Sequence, residues 1–412
     1  MRNAAKLPLL VTASTFPTSS QDSCPRFVLD LCRELEATGR IRCLTLVPHA
    51  PGAKARATLE GIRVHRYHYA LPSTLQKLSG SGMMAGLQAH PWRWCLVPGL
   101  IFGQMLAQRK LEKKFQPAAV LAHWLVPQGI TAVLTPNRRS KLIVVCHGGD
   151  VDFLSRGQSR RMLGRWLVQR CDRLIAVSTF VQEALIRRFN ADPSKISVIP
   201  MGVDTKLFSR QKSPASQNAP HQPERLLYIG RLVPGKGLDI LLDALRLVMK
   251  SRPLAELDII GKGPLDGLLR KRVAALGLNQ KVHFHGGLPH SRLCQHLRNA
   301  SALVVPSVTA EGFGLVIAEA FAAQVPVVAA ESGGIGNLIA HNQNGLLARP
   351  SCATSLARQI NRLLADPKLR RRLVKTAWQR CQQDFRWEIT ANAFLKEIEA
   401  VVGLPVRETP MA

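Results

Sequence analysis

Along the chain, short apolar runs alternate with stretches whose apolar residues recur every three or four positions. Leu7–Ala13, Ile41–Pro48, Ile62–Tyr67, Ala118–Ala122, Leu142–Cys146, Leu174–Val177 and Ile196–Ile199 have the length and continuity of buried strands. Phe27–Ala37 and Thr179–Phe189 have the helical period. This rhythm predicts repeated βα units on parallel sheets. It breaks at Ser209–Glu224, a stretch rich in Gln, Ser, Pro and Lys without apolar period, which predicts a linker or long surface loop. It restarts with strands expected at Leu226–Ile229, Leu257–Ile260, Val282–His285, Ala302–Val305 and Val325–Ala329, and helices at Leu238–Lys250, Leu265–Leu276 and Leu315–Ala323. Three more helical patterns follow, at Ser355–Leu364, Lys368–Gln383 and Trp387–Val402. The expected fold is α/β: two doubly wound, Rossmann-like domains at residues 1–203 and 204–385, then a terminal helix within 386–412. In such folds ligands bind at the carboxyl ends of the strands, and the expected place here is a cleft between the two domains.

A chain of 412 residues with 46% apolar content can give both domains a core, which excludes a disordered chain. The formal charge of +29 is spread over both halves and favours anionic partners: nucleic acid, acidic lipid or phosphorylated ligands. Against nucleic acid stand the 5% aromatic content and the lack of a nucleic-acid-binding module, and none is expected as a partner. The nine cysteines have no C-x-x-C spacing, so zinc and redox motifs are not signalled, and reduced thiols in a cytosolic protein are expected. Leu7–Val11 is too short for the core of a signal peptide and suits a first strand. The longest uncharged apolar stretch elsewhere, Trp94–Ala107, is too short to span a bilayer.

Four constellations carry candidate chemistry. Gly230-Arg231-Leu232-Val233-Pro234-Gly235-Lys236-Gly237 joins a strand to a helix. Glycines permit close backbone approach, the helix start offers N–H groups, and Arg231 and Lys236 add two cations: together, a diphosphate cradle. The alternative is a glycine-rich turn with solvated cations. Glu311-Gly312-Phe313-Gly314, with Glu319 on the following helix, offers two carboxylates to sugar hydroxyls and the amides of Phe313, Gly314 and Leu315 to a phosphate. The bland reading is a capping Glu311 and a structural Glu319. His147-Gly148-Gly149-Asp150 ends a strand of the first half: His147 suits a hydrogen bond to a sugar or a developing charge, and Asp150 could accept from a hydroxyl. Asp150-Val151-Asp152 also spells a D-x-D metal pattern, too short to carry weight. His123-Trp124 ends another strand and could line an acceptor pocket, or else cap a helix and close a core.

Taken in order, these motifs resemble glycosyltransferase family 4, with the two-Rossmann GT-B fold. The resemblance rests on the His-Gly-Gly-Asp turn, Val177-Ser178, Pro200-Met201-Gly202-Val203-Asp204, the Gly-Arg…Gly-Lys-Gly cradle, Gly261-Lys262-Gly263-Pro264 and the pair Glu311 and Glu319. His123-Trp124 is similar to the turn of bacterial members that build surface polysaccharides. The resemblance implies a retaining, metal-independent hexosyltransferase-like enzyme without a resident cofactor, whose co-substrate is a UDP- or GDP-sugar. Arg231 and Lys236 would hold the donor diphosphate, near Gly261. Glu319 would take the ribose, Glu311 a hydroxyl of the donor sugar beside the Phe313, Gly314 and Leu315 amides, and His147 would sit by the transferred sugar. His123, Trp124 and Asp150 are the acceptor-side candidates. The first domain would take the acceptor, the second the donor, and the last helix would return to the first domain. A saccharide or lipid-linked saccharide acceptor suits surface-polysaccharide or lipopolysaccharide synthesis at the cytoplasmic face of the membrane. Two segments could rest there on anionic lipid: Leu75–Phe115, and the helix carrying Arg160, Arg161, Arg165 and Arg170 around Met162, Leu163, Trp166 and Leu167. Departures from the family pattern are Thr15–Pro25, a loop without glycine, Gln324 in place of glycine, and Gly336-Asn337 where Pro-Glu is commoner. A sugar-nucleotide epimerase or a phosphorylase on the same fold is the alternative enzyme.

Overall fold

The computed structural model describes residues 6–79, 83, 86, 87, 90–209 and 224–404. The chain divides into two compact units, Met1–Gly202 with Trp387–Ala412, and Val203–Arg386. Most of the expected linker, residues 210–223, lies outside the described residues.

The described residues of the first unit form eight strands: β1 (Leu7–Thr12), β2 (Ile41–Pro48), β3 (Arg56–Leu59), β4 (Ile62–Tyr67), β5 (Ala119–His123), β6 (Lys141–Cys146), β7 (Arg173–Ala176) and β8 (Ile196–Val198). Their order is β3-β4-β2-β1-β5-β6-β7-β8, and only β3 runs antiparallel, against β4. The strand at Arg56–Leu59 was not anticipated. It is a half-exposed edge strand closed by a turn at Glu60-Gly61, and its side chains lack the apolar run that marks the buried strands. β1, β5 and β6 are buried almost throughout, which explains their unbroken apolar sequences.

The helix Trp387–Val402 belongs to this unit and packs on the helix Phe27–Ala37. Phe394, Leu395 and Ile398 bury its apolar face, each contributing about 1.5–3 kcal/mol. Polar pairs fix its direction: Glu399 meets Arg40 at 2.6 Å, and Glu397 accepts from Arg173 at 2.6 Å and from Ser197 at 2.8 Å.

The second unit is a six-stranded parallel sheet: β9 (Arg225–Ile229), β10 (Glu256–Ile260), β11 (Val282–Gly286), β12 (Ala302–Val305), β13 (Val327–Ala330) and β14 (Leu346–Ala348), ordered β11-β10-β9-β12-β13-β14. The strand Leu346–Ala348 was also missed, being only three residues long. On the helix Leu238–Met249, Leu238, Leu241, Leu242, Leu245 and Val248 recur at three- and four-residue spacing and are buried against Leu257 and Ile259 of β10 and Val304 of β12. The apolar period in the sequence is thus the buried stripe of this helix. Ser251 and Arg252 close it by donating to the Val248 carbonyl.

Candidate functional site

The middle of the second sheet presents three loops side by side, because β9 lies between β10 and β12. Gly230–Gly237 follow β9, Gly261-Lys262-Gly263 follow β10, and Pro306–Gly314 follow β12. Backbone bonds stitch them together. Gly230 N donates to Ile260 O and Leu232 N to Lys262 O, both at 3.0 Å. The amides of Val308 and Thr309 donate to Gly235 O at 2.8 and 3.0 Å. Two glycines make this approach possible. Gly261 has φ +151°, and a Cβ there would stand 1.8 Å from Gly230 O. Gly237 has φ +68°, and its Cβ would stand 2.0 Å from Pro306 O. A larger side chain at either position drives two loops apart.

Within this frame Lys236 Nζ donates to Glu311 Oε1 at 2.5 Å, and Ser307 Oγ donates to the same oxygen at 2.5 Å. Burial raises the Glu311 carboxyl, but Lys236, Ser307 and Arg231 together outweigh it and hold it below the usual carboxylate value. The Arg231 side chain is exposed, and its backbone is fixed by Tyr228 Oη donating to its carbonyl at 3.0 Å. Among the described residues Arg231 forms no ion pair. The loop therefore holds one cation on a carboxylate and presents the other to solvent. The sequence assigned Lys236 and Glu311 to separate partners, whereas the structure joins them. The reason is electrostatic: a mostly buried carboxylate is stable only when paired or well hydrogen-bonded. Glu311 is not a helix cap, and its oxygens do not meet the next helix.

That helix, Leu315–Ala322, begins after Gly314 at φ +90°. The Phe313 ring is buried edge-on against Phe385, centroids 5.7 Å apart, so only its backbone faces the loop chemistry. In its first turn Ile317 N donates to Gly314 O at 2.9 Å, and the amides of Leu315 and Val316 precede it at the helix start. Glu319, one turn further, is buried, and its Oε1 accepts from His290 Nε2 at 2.9 Å. Phe208 presents its ring at right angles to His290, centroids 5.0 Å apart. His290 was missed. Its signal was a histidine directly after Pro289, at the first position of the helix His290–Asn299. Glu311 and Glu319 thus head two separate networks.

In the first unit, β5 ends in His123 and β6 leads into His147, and register pairs His123 with Val145 across the two strands. Trp124 N donates to Val145 O at 2.8 Å. The two imidazoles stack with centroids 5.3 Å apart and share a hydrogen bond, His123 Nδ1 to His147 Nε2, at 3.0 Å. Trp124 lies 4.8 Å from His147 and Phe27 lies 5.2 Å from it, centroid to centroid. Burial pushes His147 down to about 3. Burial, with His147 as a smaller cause, pushes His123 well below its ordinary value. Both rings are neutral at pH 7, so one must donate to the other. His123 neither caps a helix nor faces solvent: it is fully buried beneath His147.

Asp150 is buried in the turn that follows β6. Both of its oxygens are engaged by backbone amides of its own unit. Its Oδ2 accepts from Leu125 N at 2.8 Å, and its Oδ1 from His147 N at 3.2 Å and Gly148 N at 3.0 Å. It clamps the loops after β5 and β6 together, which orients His147. Burial raises its carboxyl, partly offset by these amides. Asp152 is exposed and pairs with Arg156 at 2.6 Å, so the D-x-D residues serve different ends.

A cavity of ≈ 350 Å³ opens in the same unit, at the loop after β1 and the end of β2. Thr18, Asp22, Arg66 and Lys77 are among its lining. The loop has no glycine, and Asp22 shapes it instead, accepting from Thr18 N at 2.9 Å, Thr18 Oγ1 at 2.7 Å and Cys24 N at 3.0 Å. Arg66 is buried and donates to Pro17 O at 2.8 Å. Arg66 and Lys77 were not anticipated, because no local motif joins an arginine near the end of β4 to a loop lysine.

Two Rossmann-like sheets, one with a glycine-stitched cationic loop and the other with a strand-end histidine, define the GT-B class of transferase. Residues 25–207 match the model of Glycosyltransferase Family 4, and residues 209–380 that of Glycosyl transferases group 1. Glycogen synthase of Mycobacterium tuberculosis is 30% identical over 325 residues, which cover 76% of this chain and 75% of that protein. Sucrose-phosphate synthase from Thermosynechococcus elongatus has the same fold, with a TM-score of 0.79, 23% identity, and coverage of 97% of this chain and 100% of that one. Anabaena HepE, solved in complex with UDP-glucose, aligns with a TM-score of 0.71 and 20% identity, over 96% of this chain and 100% of that one. The chain belongs to glycosyltransferase family 4, and it is a glycosyltransferase that uses a nucleotide-sugar donor.

Proposed function

We propose that the protein is a retaining glycosyltransferase that moves a sugar from a UDP- or GDP-sugar to a hydroxyl of a glycan or lipid-linked saccharide, in the synthesis of a cell-surface polysaccharide or lipopolysaccharide. The observation that carries the donor assignment is the second-unit cradle: exposed Arg231, beside Lys236 held on Glu311, over three loops locked by Gly237 and Gly261. Two cations and helix-start amides can neutralise a leaving diphosphate without a metal ion. The diphosphate would compete with Glu311 for Lys236, which would turn the Glu311 carboxylate toward a hydroxyl of the donor sugar. Glu319 would take the ribose through the oxygen that His290 leaves. UDP-glucose in the similar Anabaena protein supports a uridine donor.

The first unit would take the acceptor. His147, kept neutral by burial, would serve the transferred sugar as a hydrogen-bonding group, since it cannot carry charge at pH 7. The cavity with Arg66, Lys77 and Asp22 suits a polyhydroxylated or phosphorylated acceptor.

A lipid-linked acceptor is favoured over a soluble glucan by one surface. On the helix Val97–Phe115, Phe102 (61% exposed) and Leu106 (44%) lie on the same stripe as exposed Arg109, Lys110, Lys113 and Lys114, and Trp92 and Trp94 precede them, both exposed. An apolar half followed by a basic half suits peripheral contact with an anionic cytoplasmic leaflet. On the helix Gln158–Gln169, Arg160 covers the Phe153 ring at 4.5 Å and Met162 is exposed. The part of Leu75–Phe115 at residues 80–82, 84, 85, 88 and 89 lies outside the described residues. No helix among the described residues is long and apolar enough to cross a membrane.

The test is a transfer assay with UDP- and GDP-sugars, with and without EDTA, against lipid-linked and soluble saccharides, with the anomer of the product read by NMR. The expected result is donor-dependent transfer with retention, preserved in EDTA, to the lipid-linked acceptor. Elongation of a soluble glucan would instead place the chain with glycogen synthase. Sugar phosphate released with inorganic phosphate would make it a phosphorylase, and a changed sugar without acceptor an epimerase.

A further inference from the structure

Away from the donor loops, the outer edge of the second sheet carries an unusual set of polar side chains. Leu257 and Ile259 of β10 and Val282 of β11 point into the hydrophobic core. Alternation sends Glu256, Asp258 and His283 to the opposite face, where the register pairs Asp258 with His283. The register then shifts between Ile259 and Ile260, which leaves His285 opposite no single partner. The helix His290–Asn299 adds His296 from its last turn.

Asp258, His285 and His296 converge, one ligand atom of each lying within 4.8 Å of the others. His285 Nε2 stands 2.6 Å from Asp258 Oδ1, and the His285 and His296 rings are 4.6 Å apart at 60°. Asp258 is buried, His296 half-buried, and His285 opens to solvent, so an ion could enter and keep a water. We propose that these three residues form a binding site for a divalent transition metal of the zinc type. Two imidazoles and a carboxylate select such an ion over magnesium or calcium, which prefer oxygen ligands throughout. Bonds of about 2.0–2.2 Å to zinc require the His285–Asp258 hydrogen bond to open by well under an ångström.

The surroundings fit. His296 is half-buried, and its ring stands beside that of His285, which is already hydrogen-bonded to Asp258. Among the described residues, Arg225 is the one Lys or Arg that pairs with Asp258. It stands 3.8 Å from Asp258 and 3.7 Å from Glu256 and is 45% exposed, so it can keep Glu256 and leave Asp258 to the metal. His283 lies 3.5 Å from Glu256 and forms the outer part of the same polar face.

The ion would staple β10, the edge strand β11 and the helix His290–Asn299. That helix also begins with His290, the partner of Glu319. A metal here would steady the donor unit without entering the reaction, which separates it from the metal-independence of turnover.

The test uses the full chain, stripped with EDTA and titrated with zinc chloride by calorimetry, with magnesium as control. The expected result is one saturable zinc site per chain that magnesium does not fill. At zinc a hundred times Kd, the unfolding temperature of the donor unit should rise by roughly 5–10 °C. His296→Gln and His285→Gln should each weaken binding at least tenfold. Cobalt substitution in the unmutated protein gives a readout that needs no variant: visible bands of low coordination without a sulfur charge-transfer band. Zinc binding that is absent, unchanged in both variants, or accompanied by a cobalt–thiolate band overturns the proposal.

Discussion

The two units build their strand-end sites from opposite materials. The second uses charge: Arg231 exposed, Lys236 on Glu311, and carbonyl-to-amide stitches that bring three loops together. The first uses neutral rings: His123 and His147 are hydrogen-bonded to each other, flanked by Trp124 and Phe27, and kept uncharged by burial. Its charged member, Asp150, is spent on backbone amides. Charge held at a rim can meet a charged ligand, whereas neutral rings at a strand end can only position one. This contrast supports the proposal that the second unit binds the anion and the first positions the sugar.

The largest effect should come from the cationic side. Arg231→Ala should lower donor turnover by about 10²–10³-fold, because a preorganised donor to a leaving diphosphate acts most strongly in the transition state. Its melting temperature should stay near that of the unmodified protein, since the side chain is exposed and forms no ion pair among the described residues. Lys236→Ala should lose similar activity and also melt earlier, because it strips Glu311 of its cation. Equal melting of the two variants would blur the distinction between the two cations.

In the first unit the leading effect should be on stability. Asp150→Ala leaves the amides of Leu125, His147 and Gly148 without their acceptor and should cost about 2–4 kcal/mol in chemical denaturation. If activity fell with no loss of stability, Asp150 would return to the acceptor side.

Next in size is a pH effect. His147 is depressed from 6.5 to about 3 in the fold, so between those values the unfolded chain binds more protons than the folded one. The stability it contributes is complete above about pH 6.5 and is lost as pH falls toward 3, at up to about 1.4 kcal/mol per pH unit. His147→Gln should flatten this slope, measured by urea denaturation at pH 7, 6 and 5. A slope of the same size in the variant would move the burial elsewhere.

The smallest effect should be that of Glu319→Gln, which keeps a hydrogen bond to His290 and should raise the donor KM several-fold with little change in kcat, because the ribose does not react. Glu311→Gln should act chiefly on kcat, and steady-state kinetics separates the two.

Much of this was legible in the sequence because apolar period and glycine placement are local. The strands around both sites and the loop Gly230–Gly237 follow from residues within one βα unit. The edge strands Arg56–Leu59 and Leu346–Ala348 escaped because short or half-exposed pairing leaves no apolar run. Pairings escaped for a different reason. Lys236 with Glu311, Glu319 with His290 and His123 with His147 each join side chains at least 24 residues apart, and only the sheet order makes them neighbours. The bonds of Asp150 to backbone amides escaped because a carboxylate in a His-Gly-Gly-Asp turn looks the same in sequence whether it faces a ligand or its own backbone.

The most direct measurement is calorimetric titration of the unmodified protein, Arg231→Ala and His147→Gln with UDP and GDP, nucleotides that carry the diphosphate but no sugar. The account predicts saturable binding of one of them, weakened about 10- to 100-fold in Arg231→Ala and unchanged in His147→Gln. A folded Arg231→Ala that binds as tightly as the unmodified protein, or a His147→Gln that loses the nucleotide, would contradict the division of labour between the two units.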